Sequence, residues 1–100
     1  MKSRSNHLLL AFLLVTVRLA ADWPQFRGPD GQGHSAEKGI PIHWAEDENI
    51  TWKIAVPGQG WSSPVIAGKQ VWMTSAEAEG KSLHAVCIDK TGGKLLHNVE

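Results

Sequence analysis

Between Asn49 and the end of the chain the apolar residues recur at every second position, interrupted at short intervals by turn residues. Ile50, Trp52, Ile54 and Val56 point one way, and Thr51, Lys53 and Ala55 point the other. A two-residue period is that of a strand with one buried face, so residues 50–56 are expected to form a strand. Pro57-Gly58-Gln59-Gly60 ends it. Further strands are expected over residues 62–66, 71–76, 82–89 and 94–99. The first two are joined by the tight connection Ala67-Gly68-Lys69-Gln70 as a hairpin, and the last two by a turn over residues 90–93. Residues 77–81, which include Gly80, read as a polar loop. Nothing in this stretch repeats at a helical period. The expected fold is all-β, a meander of short antiparallel strands.

Such a sheet must hide its apolar surface. The chain carries five tryptophans, two phenylalanines and no tyrosine. Trp52, Trp61 and Trp72 alone exceed what a few short strands can cover with their own turns, and uncovered apolar area costs roughly 25 cal/mol per Å². The expectation is therefore a sheet that is the first unit of something larger, stacked on a neighbour.

The N-terminus is of another kind. Residues 8–17, LLLAFLLVTV, are apolar except for Thr16; Lys2 and Arg4 precede them and Leu19-Ala20-Ala21 follows. A basic start, a short apolar run and small residues after it make a secretory signal peptide over residues 1–21. Ten helical residues rise about 15 Å, half of a bilayer core, so no transmembrane span is expected beyond this segment. Arg18, directly behind the run, leaves an uncleaved N-terminal anchor as the rival, and no cysteine follows for a lipid anchor. Cleavage after Ala21 would remove Lys2, Arg4 and Arg18 while keeping every acid, leaving a mildly acidic remainder in the periplasm or outside the cell. Residues 22–49 read as an irregular arm punctuated by Gly28, Pro29, Gly31, Gly33, Gly39 and Pro41. Trp23, Phe26 and Trp44 are the aromatic handles expected to pack that arm on the body.

Composition excludes several functions. Ten basic and ten acidic residues leave no basic face for nucleic acid. One cysteine rules out an intramolecular disulfide and a two-thiolate metal site. Cys87, in the apolar run Ala85-Val86-Cys87-Ile88, is expected to be a buried packing thiol. Beyond the signal segment the histidines are His34, His43, His84 and His97; none forms a zinc-hydrolase pair, and His84 with His97 across adjacent strands would be two ligands lacking a third. Ser62 and Ser63 lack the glycine two places on that a nucleophile elbow needs. Gly28, Gly31 and Gly33 run in the reverse order of a dinucleotide fingerprint, and no strand precedes them. Asp30 lacks the alternate acids of a calcium loop. Glu46-Asp47-Glu48 reads as a solvated turn, and Asn49-Ile50-Thr51 fits a glycosylation sequon. No catalytic residue and no metal ligand is therefore assigned.

Residues 87–97, CIDKTGGKLLH, carry one further signal. Asp89, the turn pair Gly93-Lys94 and the apolar pair Leu95-Leu96, followed by His97, resemble the repeat of pyrroloquinoline-quinone-type β-propellers, Ala-x-Asp-x-x-Thr-Gly-Lys-x-x-Trp. Cys87 replaces the alanine, Gly92 the threonine and His97 the tryptophan. The openings DWPQFRGPDGQG (residues 22–33) and Gly60-Trp61-Ser62-Ser63-Pro64 are similar to the N-terminus of secreted bacterial proteins of this class, the quinoprotein-like or outer-membrane assembly-factor-like repeat proteins. The resemblance implies an antiparallel four-stranded blade over residues 62–99, with residues 50–56 as a spare strand that closes the ring. It implies that the residue at 97 packs on the neighbouring blade, and that the partners are the remaining blades of the same chain plus an unidentified protein or small-molecule ligand. The function it implies is an exported, non-catalytic binding or assembly platform, with no cofactor evident in this stretch. The alternatives are a quinone-dependent dehydrogenase holding the quinone and calcium on the propeller axis, and a small self-contained secreted β-domain.

Overall fold

The structure, a computed structural model, describes residues 22–60 and 62–100. The expected signal peptide and Trp61 lie outside the described residues. The described chain is all-β apart from one 3-10 turn. Its single sheet has four antiparallel strands in the order β1 (Val65–Ala67), β2 (Gln70–Glu77), β3 (Ser82–Asp89) and β4 (Leu95–Val99). Each strand pairs with the next, as tight turns demand. β3 spans the expected residues, β2 gains one residue at each end, and β4 starts one residue late.

β1 departs most from expectation, and its edge explains why. Gln59 exchanges two backbone hydrogen bonds with Ala76 (2.8 and 2.7 Å), and pairing resumes only at Val65 opposite Trp72. Between them lies Pro64, which has no N–H to give a ladder. The gap leaves the Thr74 amide to the Ser62 hydroxyl, which accepts from it at 3.1 Å. Residues 59–60 and 62–67 thus follow one edge of β2, paired at Gln59 and again from Val65.

Residues 50–56 are not a strand, which corrects the expectation drawn from their period. The alternation is nevertheless real. Trp52, Ile54 and Val56 are half-buried while Thr51, Lys53 and Ala55 are exposed, and the first three pack against Val71, Val86 and Ile88. Ile50 is left 45% exposed. A two-residue period reports an extended chain with one covered side; here side chains do the covering, across a sheet face, without a backbone ladder.

The register sorts the sheet into two faces. Ile66, Val71, Met73, Ser75, His84, Val86 and Ile88 share the first, since directly paired residues lie on the same side. Val71, Val86 and Ile88 are its buried core, roofed by Trp52, Ile54 and Val56. Full burial of an aliphatic side chain such as Val86 or Ile88 contributes about 1.5–3 kcal/mol. Val65, Trp72, Thr74, Ala76, Leu83, Ala85, Cys87, His97 and Val99 share the second face.

The arm is tied to the sheet at its start. Trp23 exchanges backbone hydrogen bonds with Ile66 (3.0 and 2.8 Å), and Asp22 Oδ1 accepts from the Gly68 amide at 2.8 Å. The Trp23 ring fills the space beside Gly28, where a β-carbon would come within 2.6 Å of it. Phe26 and Trp44, expected to anchor the arm as well, are 65% and 67% exposed. Between β2 and β3 the chain turns through Ala78, Glu79 and Gly80 at φ 47, 57 and 85, a left-handed 3-10 turn. Two non-glycine residues there carry a strain of roughly 1–2 kcal/mol each.

Candidate functional site

The residues of the repeat-like motif come together around the β3–β4 turn. Asp89 Oδ2 accepts from the Gly92 amide at 2.7 Å, the Gly93 amide donates to Asp89 O at 2.9 Å, and the Asp89 amide donates to Lys94 O at 2.8 Å. Gly93 adopts φ 69, the left-handed region that favours glycine. It is also pressed against Trp52, whose indole Nε1 donates to Lys90 O at 2.9 Å. Asp89 and Gly93 therefore set the conformation of the turn, and Trp52 fastens the turn to the first sheet face.

Past the turn, β4 carries a bulge. Ile88 pairs with Leu95 but Cys87 pairs with His97, so Leu96 is an extra residue. A bulge reverses the facing of everything after it. Without it His97 would oppose Val86 on the face of His84; with it His97 joins Cys87 and Trp72. The two histidines lie on opposite faces and do not form a pair of ligands. His97 instead stacks on Trp72, with ring centroids 6.0 Å apart and planes 15° from parallel. Its aromatic contact is within its own sheet. Cys87 sits between the two in the register and is fully buried. Burial raises its thiol pKa, because the thiolate would lose its water. It is a packing residue with no sign of activation.

The second face is left partly uncovered by the described chain. Leu83 and Val99 are 67% and 58% exposed, and Val65, Trp72, Ala76 and Ala85 are half-buried. An open trough of about 630 Å³ runs over it, lined by Ala76, Leu83, Ala85, Val99 and Thr74 and edged by Gln59 and Glu100. His84 and Glu100 also line it, at the end of the trough that a polar cluster occupies.

Sequence reading missed a polar cluster at the far end of the first face. His84 lies between the Ser82 hydroxyl, 3.0 Å from Nε2, and Asn98 Oδ1, 2.9 Å from Nδ1. Ser82 also donates to Glu100 Oε1 at 2.7 Å, and Glu77 Oε2 is 3.8 Å from Nε2. The serine's single proton is thus engaged by Glu100, which leaves none for His84 to accept. The cluster ties the ends of β2, β3 and β4 together. No spacing rule flags it, because the register creates it.

Among the described residues no three His, Cys, Asp or Glu side chains converge to hold a metal ion, and no helix is long and apolar enough to cross a membrane. No family model, curated protein or solved structure matches the chain.

Proposed function

We propose that this chain is a wedge of an exported β-propeller repeat protein that serves as a binding or assembly platform without catalysing a reaction. The observation that carries this reading is the second sheet face: a four-stranded meander covers one side with its own residues 52–56 and leaves Leu83 and Val99 exposed for a partner. The turn supports it too, since Asp89, at the repeat's aspartate position, accepts from the Gly92 amide, and Gly93, at its turn glycine, takes a positive φ.

The test has two arms. The coding sequence beyond residue 100 is expected to hold further Asp-x-x-x-Gly-Lys repeats; a stop codon there overturns the reading in favour of a self-contained β-domain. The complete protein, supplied with the quinone and calcium, is expected to reduce no dye with alcohols or sugars. Turnover in that assay would make it a dehydrogenase.

A further inference from the structure

We propose that Asn49 is an acceptor for an N-linked glycan whose first sugars lie over the recess between Trp44 and Ile50; this rests on the export reading above. Asn49-Ile50-Thr51 is the chain's sole sequon, and all three residues are exposed.

Local structure accounts for part of the pattern. Ala45 and Glu48 exchange two backbone hydrogen bonds around a tight loop, and Asn49 leaves it at φ 58, a conformation asparagine tolerates. The Asn49 Nδ2 donates to His43 O at 2.8 Å. The fold thus explains an asparagine at 49. Thr51, the other half of the sequon, is exposed.

The site is compatible with the transfer. The amide nitrogen carries two hydrogens; one holds His43 O and the other is free to be replaced. A bond forms between Nδ2 and the anomeric carbon of a polyprenyl-diphosphate-linked oligosaccharide. The anomeric carbon–oxygen bond breaks, the diphosphate leaves with the electron pair, and the transferase takes the amide proton. The turn hydrogen bond survives. Asp47 lies two residues before the acceptor, and the nearby Lys53 is engaged by Glu46 at 2.8 Å. Asp47 is exposed, so its carboxylate is open to a cationic group of the transferase.

Next to the acceptor is a recess of about 470 Å³ lined by Trp44, Ala45, Glu46, Ile50, Trp52 and Lys53. Trp44 is 67% exposed. An exposed indole beside a polar rim suits the apolar face of a sugar ring, and the glycan would cover surface that the protein leaves bare.

The test is expression behind a heterologous cleavable leader in a bacterium carrying an asparagine oligosaccharyltransferase and its lipid-linked glycan, with intact-mass analysis. The expected result is one added glycan, lost in Asn49→Gln and Thr51→Val, with occupancy falling about tenfold in Asp47→Ala, the scale of one charge-assisted contact. Acrylamide quenching should fall on glycosylation in the wild type but not in Trp44→Ser. A leader-cleaved chain without added mass, in cells that modify a control acceptor, overturns the proposal, as does unchanged quenching for the recess. Export is scored separately with the native leader: retention of that form in the cytoplasm sinks the export reading without touching acceptor competence.

Discussion

The Trp52 indole occupies the place of a side chain on Gly93: a β-carbon built on that glycine would lie 2.6 Å from Trp52 Cδ2. One contact joins the extended segment before the sheet to the β3–β4 turn, 41 residues later in the chain. Replacement of Gly93 by alanine meets both this overlap and a φ of 69. The expected loss is at least about 2 kcal/mol, read as a lower urea midpoint at constant m. Trp52→Phe keeps much of the packing but gives up the hydrogen bond to Lys90 O, and should cost about 1 kcal/mol more than its lost area.

Asp89 is predicted to act through its acceptor. Its carboxylate holds the Gly92 amide at 2.7 Å. Asp89→Ala should cost about 1.5–3 kcal/mol, and Asp89→Asn, which keeps a carbonyl at the same place, clearly less. Equal losses in chemical denaturation would show that the negative charge, not a neutral acceptor at that place, is what the turn needs.

Cys87 gives the pH dependence. Burial raises the thiol above its ordinary value, so the folded state holds its proton to higher pH than the unfolded chain does. The thiol's contribution is intact at neutral pH and is lost as alkaline pH rises past the unfolded value and through the folded one. Native protein should resist iodoacetamide at pH 8 and react on unfolding in urea, followed by mass. Fast native labelling would contradict the burial. Cys87→Ser, which puts a hydroxyl in the same dry site, should cost about 1–3 kcal/mol.

The open face predicts a separation of stability from association. Leu83 and Val99 are exposed in residues 22–100, so in that piece expressed alone Leu83→Ser with Val99→Ser should change the melting free energy by no more than about 0.5 kcal/mol for each substitution. The same pair should lower binding of a hydrophobic dye and reduce self-association in sedimentation, since it breaks the apolar trough. A large fall in stability would mean that these residues already sit in a core.

His84 holds two partners that need it. Removing the ring in His84→Ala leaves Asn98 Oδ1 without its contact and takes one from Ser82. The expected loss is about 1–3 kcal/mol, with hydrogen exchange rising first at the β4 amides near Asn98. Exchange that instead rises uniformly through the sheet would place the cluster in the global core.

Strands, turns and the buried thiol are legible in the residues because each is a local matter. Alternation marks an extended chain, Gly68 and Gly93 mark positive φ, and Val86-Cys87-Ile88 marks a strand interior. Residues 50–56 show the limit: their period told correctly that Trp52, Ile54 and Val56 face inward, yet it carries no information about whether a neighbouring backbone is there to pair. His97 shows it again, since a single bulge at Leu96 moves its ring to the opposite face.

By itself, then, the sequence determined an all-β chain with its turns in place, since φ preferences and side-chain periodicity belong to neighbours along the backbone. Register, the bulge, the Trp52–Gly93 contact, the Ser82–His84–Asn98 cluster and the choice of covered face were decided only by tertiary structure. Each depends on separate segments meeting within or over a sheet whose strands lie about 4.8 Å apart, a juxtaposition no local pattern encodes.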